Sequence, residues 1–220
     1  VIQFSRTTQL SKRDPNPMHR LSAALRCCLE SLQRENSRLR TEILKRYDFR
    51  SITEAEVVPW LSLVTAGFAH LDIVRSYFER HWYSDPDRCV AGTFVAIERS
   101  TGDFVGSVRV FIRSIAIKGG QEVKMGGIGE VCTLRRAQHR GIGTKLLTMA
   151  TGYMEAAGFD VSVLHAIFSA AHIYQRLGWY KIDAPMHTVT LSAKHQVDPT
   201  AFTIEALDLS RQLGRAPGQH

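Results

Sequence analysis

Residues 130–143 constrain the fold of this chain more than any other segment. They comprise the apolar strand segment EVCTL and a short basic turn, QHRGIG, and a helix starts at the glycines of that turn. The first amides of a helix lack acceptors within the helix, and the helix dipole is positive at that end. Gly141 and Gly143 also let the main chain approach an oxyanion closely. The segment therefore predicts a pyrophosphate site where a strand meets a helix.

Two common kinds of phosphate loop do not fit this segment. A Walker A loop has lysine directly after its last glycine, whereas here Lys145 follows Gly143 and Thr144. A dinucleotide fingerprint needs a third glycine at the start of the helix, where Lys145 and Leu146 stand instead. The residues favour neither ATP nor NAD, and they leave open that the glycines merely turn a strand into a helix.

Hydrophobic periodicity predicts a mixed α/β fold around this segment. Residues 1–16 show no periodicity and are expected to form a disordered arm, and residues 17–46 have the spacing of an amphipathic helix. Thr53 and Glu56 form a capping box, after which Pro59 predicts either a kinked helix or a helix that starts near it. From residue 47 the predicted order is β, α, α, β, β, β, α, β, α, β, β. These elements span residues 47–52, 53–68, 73–82, 90–98, 104–118, 127–134, 141–158, 159–166, 169–177, 179–182 and 187–191.

Composition narrows the class of protein and of partner. A hydrophobic share of 44% and a charged share of 22% are typical of a globular protein, and 220 residues suffice for one α/β domain with extra segments. No apolar run approaches the roughly 20 residues of a membrane span, so we expect a soluble, cytoplasmic protein. The four cysteines form no CxxC pair, and we expect no metal. The net charge of +7 indicates an anionic partner, which could be nucleic acid, a membrane surface or a polyphosphorylated cofactor.

Residues 138–143, QHRGIG, resemble the (Q/R)xxGx(G/A) signature of the GNAT superfamily of N-acetyltransferases. The strand GEVCTL, the helix GIGTKLLTMATGYMEAAG, the strand FDVSVLHA and the segment IYQRLGWYKI follow the family's order. The resemblance implies one GNAT-like domain over residues 47–192, with a mixed, mostly antiparallel sheet flanked by helices. IYQRLGW also resembles the enhanced-intracellular-survival type, whose members have further domains, so residues 193–220 are expected to be a tail that continues into a longer protein.

The same resemblance implies a cofactor and its site. The co-substrate would be acetyl-CoA, and the acceptor would be a primary amine of a small molecule or a lysine side chain. Attack would be direct, in a ternary complex. The residues implied to contact coenzyme A are Cys132, Thr133 and Leu134 on the strand, and Gln138, His139, Arg140, Gly141, Ile142, Gly143 and Thr144 in the turn and helix.

Two residues are candidates for acid–base chemistry. The family has a tyrosine at the position of Tyr174, which would protonate the departing thiolate. Glu130 is the one carboxylate on the strand that enters the cradle, and an acid within so apolar a strand needs a reason. We expect Glu130 to deprotonate the amine, the alternatives being a glutamate exposed at an edge or one paired for structure. His165 is expected to be a core residue, and no partner suggests that Cys132 acts as a nucleophile.

Other functions remain open at this stage. The chain could be a non-catalytic CoA-binding or scaffold module of the same fold, and it could form a homo-oligomer. Nucleic-acid binding has only the net charge in its favour, because basic and aromatic residues do not interleave. Acetyl transfer is the function that the residues favour.

Overall fold

The computed structural model of the protein describes residues 2–7, 23–116 and 120–182. Its strands are β1 (Ile2–Thr7), β2 (Tyr47–Ser51), β3 (Thr93–Glu98), β4 (Phe104–Ala116), β5 (Glu122–Thr133), β6 (Val161–Ala166) and β7 (Tyr180–Lys181). Its helices are α1 (Ala23–Leu44), α2 (Val57–Gly67), α3 (Arg75–Tyr83), α4 (Ile142–Ala156) and α5 (Ala171–Arg176). The described strands form a seven-stranded sheet in the order β2-β3-β4-β5-β6-β1-β7.

The sheet is mixed and mostly antiparallel. β5 and β6 are parallel, and the other neighbouring pairs are antiparallel. This confirms the predicted fold class, and α1 confirms the N-terminal helix. The predicted order also holds from β2 to β7, whereas the predicted strand at residues 187–191 and the tail at 193–220 lie outside the described residues. None of the helices in the described ranges combines the length and the hydropathy that a membrane span needs.

The N-terminal segment corrects one expectation. Residues 2–7 form β1, which pairs with all of β6, whereas a disordered arm was expected over residues 1–16. Strand pairing uses main-chain groups, so a segment without side-chain periodicity can still extend a sheet. The rest of the expected arm lies outside the described residues.

α2 starts close to Pro59, which was one of the two expectations for that proline. The capping box of Thr53 and Glu56 is present, and it closes a 3-10 turn over Glu54–Glu56 from which α2 continues. Pro59 is in the first turn of α2, where amides have no acceptor within the helix. The missing amide of the proline therefore costs no hydrogen bond, and no kink is needed.

Helices cover both faces of the sheet. Phe94 and Ala96 of β3 belong to the core beneath α4, and Val95 and Ile97 belong to the core beneath α2 and α3. This is the alternation of a strand with both faces buried.

β5 carries a bulge that reverses its two faces. Ile128 belongs to the core beneath α4 and Cys132 to the core beneath α2 and α3, although residues four apart on a regular strand share a face. The register between β4 and β5 shifts between Ser107 and Arg109, and Glu130 has a left-handed main chain with φ of 51°. An extra residue in one strand produces such a shift. The bulge brings Glu130 beside Arg109, on the face covered by α2 and α3.

One buried hydrogen bond joins α2 to the centre of this sheet. Trp60 donates from Nε1 to the hydroxyl of Ser107 at 2.8 Å, and both side chains are fully buried. We expect Trp60→Phe to lower the free energy of unfolding by about 1–3 kcal/mol, because Ser107 loses a buried partner. Urea unfolding of Trp60→Phe, Ser107→Ala and the double variant measures the coupling. Strictly additive effects would contradict this assignment.

Candidate active site

The predicted cradle lies between the end of β5 and the start of α4. A 3-10 turn over Arg135–Ala137 follows the strand, and Gly141 is the N-cap of α4 with φ of 83°. His139 also has a left-handed main chain, with φ of 61°. Lys145 then donates to the Gly141 carbonyl at 3.0 Å, which closes the first turn of α4. The helical amides ahead of Lys145 have no acceptor within the helix, an arrangement that suits phosphate.

Side chains of the cradle contact the protein itself. Gln138 donates from Nε2 to the Thr133 carbonyl at 3.0 Å, which ties the loop to the end of β5. Arg140 donates from Nη1 to the hydroxyl of Tyr47 at 2.5 Å. Ile142 is buried in the core and anchors the start of α4. These contacts fix the shape of the loop.

The N-terminal helix contributes a residue that the sequence did not single out. A Cβ on Gly141 would lie 3.6 Å from Cδ and 3.8 Å from Nε of Arg40, a residue of α1. The last turn of α1 is held there because Ile43 and Leu44 pack against the core beneath α4. A guanidinium group therefore lies beside the N-cap of α4, where the sequence predicts a pyrophosphate site.

β5 and β6 are paired along only part of β5. Their parallel register covers residues 125–128 and 161–164, whereas β5 continues to Thr133 along β4. Within the described residues, the edge of β5 beyond Ile128 has no strand partner on the β6 side. A ligand can pair with such an edge as an added strand does. Thr133 Oγ1 lies 3.8 Å from the Cβ position of Gly143, so this edge leads into the cradle.

Glu130 lies in a buried cluster of charged side chains. Its Oε1 is 3.5 Å from Nη1 of Arg109, and Arg109 donates from Nη2 to Oδ2 of Asp85 at 2.8 Å. Arg113 donates to both carboxylate oxygens of Asp85, at 3.0 and 3.2 Å. The other oxygen of Glu130, Oε2, is buried and accepts no hydrogen bond from the described residues. A buried acceptor without a partner is rare in folded proteins, and a catalytic role is one explanation for it.

Burial raises the pKa of Glu130 to about 7, and the Arg109 guanidinium opposes that rise. A general base works best when its pKa is near the operating pH. Of the alternatives that the sequence left open, exposure at an edge is wrong, since Glu130 is 8% exposed. A pairing does exist, with Arg109, but it is long and engages one of the two oxygens.

Asp85 and Arg109 were not identified from the sequence. Arg109 is 1% exposed in the middle of an apolar strand. The signal that pointed to Glu130, a charge in an apolar strand, also applied to Arg109. Asp85 follows α3 in a polar turn, where acids are common, and its sequence context carried no comparable signal.

Tyr174, the predicted acid, lies in α5 within the core that α4 covers. It is 7% exposed, and its ring meets the Trp179 ring edge to face at a centroid distance of 6.2 Å. Burial raises the pKa of Tyr174 to about 12, so the phenol keeps its proton near neutral pH. Tyr174 and Glu130 therefore belong to opposite faces of the sheet. A ligand that contacts both has to reach through the gap between β5 and β6.

Cys132 and His165 are two further residues that the sequence analysis considered. Burial raises the pKa of Cys132 to about 12, which disfavours the thiolate that covalent catalysis would require. His165 is exposed, so its expected core role is wrong. Side chains alternate along a strand, and His165 faces away from the core that buries Leu164 and Ala166. Within the described ranges, no three His, Cys, Asp or Glu side chains are grouped to hold a metal ion.

The fold is that of a GNAT acetyltransferase domain. The family described as Acetyltransferase (GNAT) domain matches residues 48–182, more than half of the 220 residues, and the chain belongs to this family. The matched range contains the bulge, the cradle and Tyr174. No curated protein matches the chain.

Solved structures support the fold at low sequence identity. A predicted acetyltransferase from Clostridium acetobutylicum, described with acetyl-CoA, has a TM-score of 0.56 at 13% identity over 68% of this chain and 99% of that protein. A GCN5-related N-acetyltransferase from Sphaerobacter thermophilus has a TM-score of 0.54 at 14% identity, over 82% of this chain and 48% of that one. Another, from Ralstonia eutropha JMP134, has a TM-score of 0.52 at 17% identity, over 65% and 98%. At these identities the likeness establishes the fold.

Proposed function

We propose that this protein transfers an acetyl group from acetyl-CoA to a primary amine of a small molecule or a lysine side chain, by direct attack in a ternary complex. The observation that carries the proposal is the bulge in β5, where the buried carboxylate of Glu130 stands beside an open strand edge that leads to the N-terminus of α4. Membership of the GNAT family supports it. So does the fold of the Clostridium acetobutylicum protein, described with acetyl-CoA.

Acetyl-CoA would bind by pairing with main chain and by anchoring its phosphates. The pantetheine arm would pair with β5 at Cys132, Thr133 and Leu134, beyond the point where β6 diverges. The pyrophosphate would accept hydrogen bonds from the first amides of α4, which Gly141 and Gly143 leave unobstructed. Gln138, His139, Arg140, Ile142 and Thr144 would complete that turn around the pyrophosphate.

The reaction takes two protons from the nitrogen and gives one to the sulfur. An alkylammonium group has a pKa of about 10.4, so a base must take its proton before the nitrogen can attack. Glu130 would take it on Oε2, directly or through water. The C–N bond then forms, and a main-chain amide of β5 stabilises the oxyanion. The nitrogen loses its second proton to water, and the C–S bond breaks. Tyr174 would give its proton to the departing thiolate and regain one from solvent. The transfer is uphill, because burial raises the pKa of the phenol to about 12, above the pKa of about 8.5 of a thiol, and reprotonation of the phenol by solvent draws it forward.

A panel of amines tests this proposal. The protein is incubated with acetyl-CoA and, in turn, with a lysine-containing peptide, a diamine and an amino sugar, and a thiol-reactive dye reports free CoA. We expect at least one amine to accelerate CoA release above the rate with water alone. If CoA binds and no amine accelerates its release, the protein is a CoA-binding module rather than an enzyme.

Tyr174→Phe is expected to lower kcat on the order of 100-fold and to leave CoA affinity unchanged. The variant keeps the buried ring against Trp179 and loses the proton that the thiolate would accept. Steady-state CoA release at saturating substrates measures the effect. Tyr180→Phe, an exposed tyrosine on β7, is the matched control and should match the parent. A Tyr174→Phe variant with the kcat of the parent would remove Tyr174 from the mechanism.

Three finer assignments stay proposals based on the sequence. The segment IYQRLGW, which begins in α5 and continues past its end, is the basis for a proposed relationship with the enhanced-intracellular-survival type. A cytoplasmic location and a homo-oligomer likewise rest on the sequence. Localisation by fluorescence and mass measurement in solution test them.

A further inference from the structure

Arg109 is fixed from several sides. Its guanidinium carbon lies 4.2 Å from the ring centroid of Phe111 and 4.8 Å from that of Trp82. Asp85 accepts a hydrogen bond from it at 2.8 Å, whereas its contact with Glu130 is 3.5 Å. The rings and Asp85 therefore set the position of the guanidinium group, and Glu130 meets a cation that is already in place.

Asp85 is anchored independently of Glu130. Arg113 donates to both of its oxygens, and the main-chain amide of Asp87 donates to Oδ1 at 3.1 Å. Burial alone would raise the pKa of Asp85, but the hydrogen bond from Arg113 and the Asp87 amide outweigh burial and lower it. Asp85 is thus a fixed anion near neutral pH.

The charged and titratable groups around Glu130 come from three elements, and they do not all shift its pKa in the same direction. The Arg109 cation, on β4, favours the ionised carboxylate, whereas the Asp85 anion, after α3, disfavours it. Cys132, on β5, stays neutral because burial raises its pKa to about 12. His81 of α3 faces Arg109, and burial followed by the Arg109 charge lowers its pKa, which favours a neutral ring.

We propose that the Asp85–Arg109 ion pair is a positioning device for Glu130, which holds Oε1, leaves Oε2 for the amine and sets the pH range over which Glu130 accepts a proton. This inference rests on the proposed role of Glu130 as base. The step moves one proton from the substrate nitrogen to Oε2, and Arg109 stays protonated throughout. The two members of the pair act in opposite directions, because Arg109 attracts the carboxylate and Asp85 repels it.

If the ion pair acts in this way, replacing Arg109 and replacing Asp85 should shift the pH dependence of kcat/KM in opposite directions. With a pKa of about 7, Glu130 should make kcat/KM roughly tenfold lower at pH 6 than at pH 8. In Arg109→Gln the ratio of kcat/KM at pH 8 to kcat/KM at pH 6 should grow toward the hundredfold that two pH units allow, because loss of the attracting cation raises the pKa of Glu130. In Asp85→Asn the ratio should shrink toward one, because the repelling anion is gone. Damage to packing alone would lower kcat/KM at both pH values by the same factor.

A substitution outside the charged cluster of Glu130 provides the control. Arg75→Gln breaks an ion pair with Glu79 within α3, where both side chains are partly exposed, and should keep the pH ratio of the parent. Circular dichroism and thermal unfolding establish that each variant is folded. Should Arg109→Gln fail to fold, Asp85→Asn decides alone. An unchanged ratio in the folded variants, or a shift in the same direction in both, overturns the proposal.

A titration that needs no turnover separates this proposal from the proposed function. Carboxyl carbon NMR of glutamate-labelled protein follows Glu130, whose signal is assigned by its loss in Glu130→Gln. Its midpoint should rise in Arg109→Gln and fall in Asp85→Asn. If no amine is acetylated, the proposed function fails while these midpoints still test the ion pair. If acetylation proceeds and the midpoints do not move, the positioning role fails and the function stands.

Discussion

Replacing Glu130 with glutamine is expected to lower kcat for acetyl transfer by about 10²- to 10⁴-fold, the usual contribution of a general base. Glutamine retains the shape of the side chain but cannot take the proton from the ammonium group. CoA affinity should stay at the parent value, because CoA would contact main chain further along β5 and the amides of α4. Steady-state CoA release at pH 8 and a calorimetric titration with CoA measure the two quantities.

The same strand offers a matched control for this substitution. Glu122 begins β5, is exposed and accepts a hydrogen bond from Ser114 at 3.1 Å. Glu122→Gln should have the kcat of the parent. A Glu130→Gln variant within twofold of the parent would show that the buried carboxylate is structural and that the amine loses its proton elsewhere.

Replacing Gly141 with aspartate is expected to weaken CoA binding by at least about 100-fold. A left-handed main chain, here with φ of 83°, costs a residue with a side chain about 1–2 kcal/mol. The aspartate would repel the pyrophosphate of CoA, and two like unit charges about 4 Å apart near a protein surface repel by about 4 kcal/mol. Each 1.4 kcal/mol corresponds to a tenfold change in affinity. The main-chain cost is small beside the roughly 5–15 kcal/mol of stability of a typical folded protein, so α4 should persist and the charge repulsion should appear as weaker binding.

Gly102 gives the matched control for the cradle. It has φ of 76° in the turn between β3 and β4, and a Cβ there would meet no atom within 4 Å. Gly102→Asp therefore introduces the same side chain and a similar main-chain cost, away from the cradle. Calorimetry should find CoA affinity unchanged in Gly102→Asp and greatly reduced in Gly141→Asp. Equal affinities in both variants would mean that CoA does not bind at the start of α4.

The order of elements could be predicted because each has a local signal. Helix periodicity and the capping box before α2 act within a few residues of chain. The cradle was predictable for the same reason, since its strand, glycines and helix are consecutive. Local signals of this kind predict structure well because they do not depend on residues that are far away in the sequence.

The features that the sequence did not predict depend on distant partners. The bulge at Glu130 arises from its register with β4, and β1 is a strand because β6 offers a free edge. Arg109 and Asp85 come together through the packing of α3 against the sheet. The apolar sequence around Glu130 was a reason to select it as a candidate. Its pairing with Arg109 and the unpaired Oε2 are visible only in the folded structure.

The most direct test of the central claim is a mass balance of the reaction. Protein, acetyl-CoA and an accepted amine are mixed, and mass spectrometry quantifies free CoA and acetylated amine over time. One acetylated amine should form per CoA released, and both should be lost in Glu130→Gln. CoA release without acetylated amine, or acetyl-CoA that binds and is never consumed with any amine, would contradict the proposed acetyl transfer.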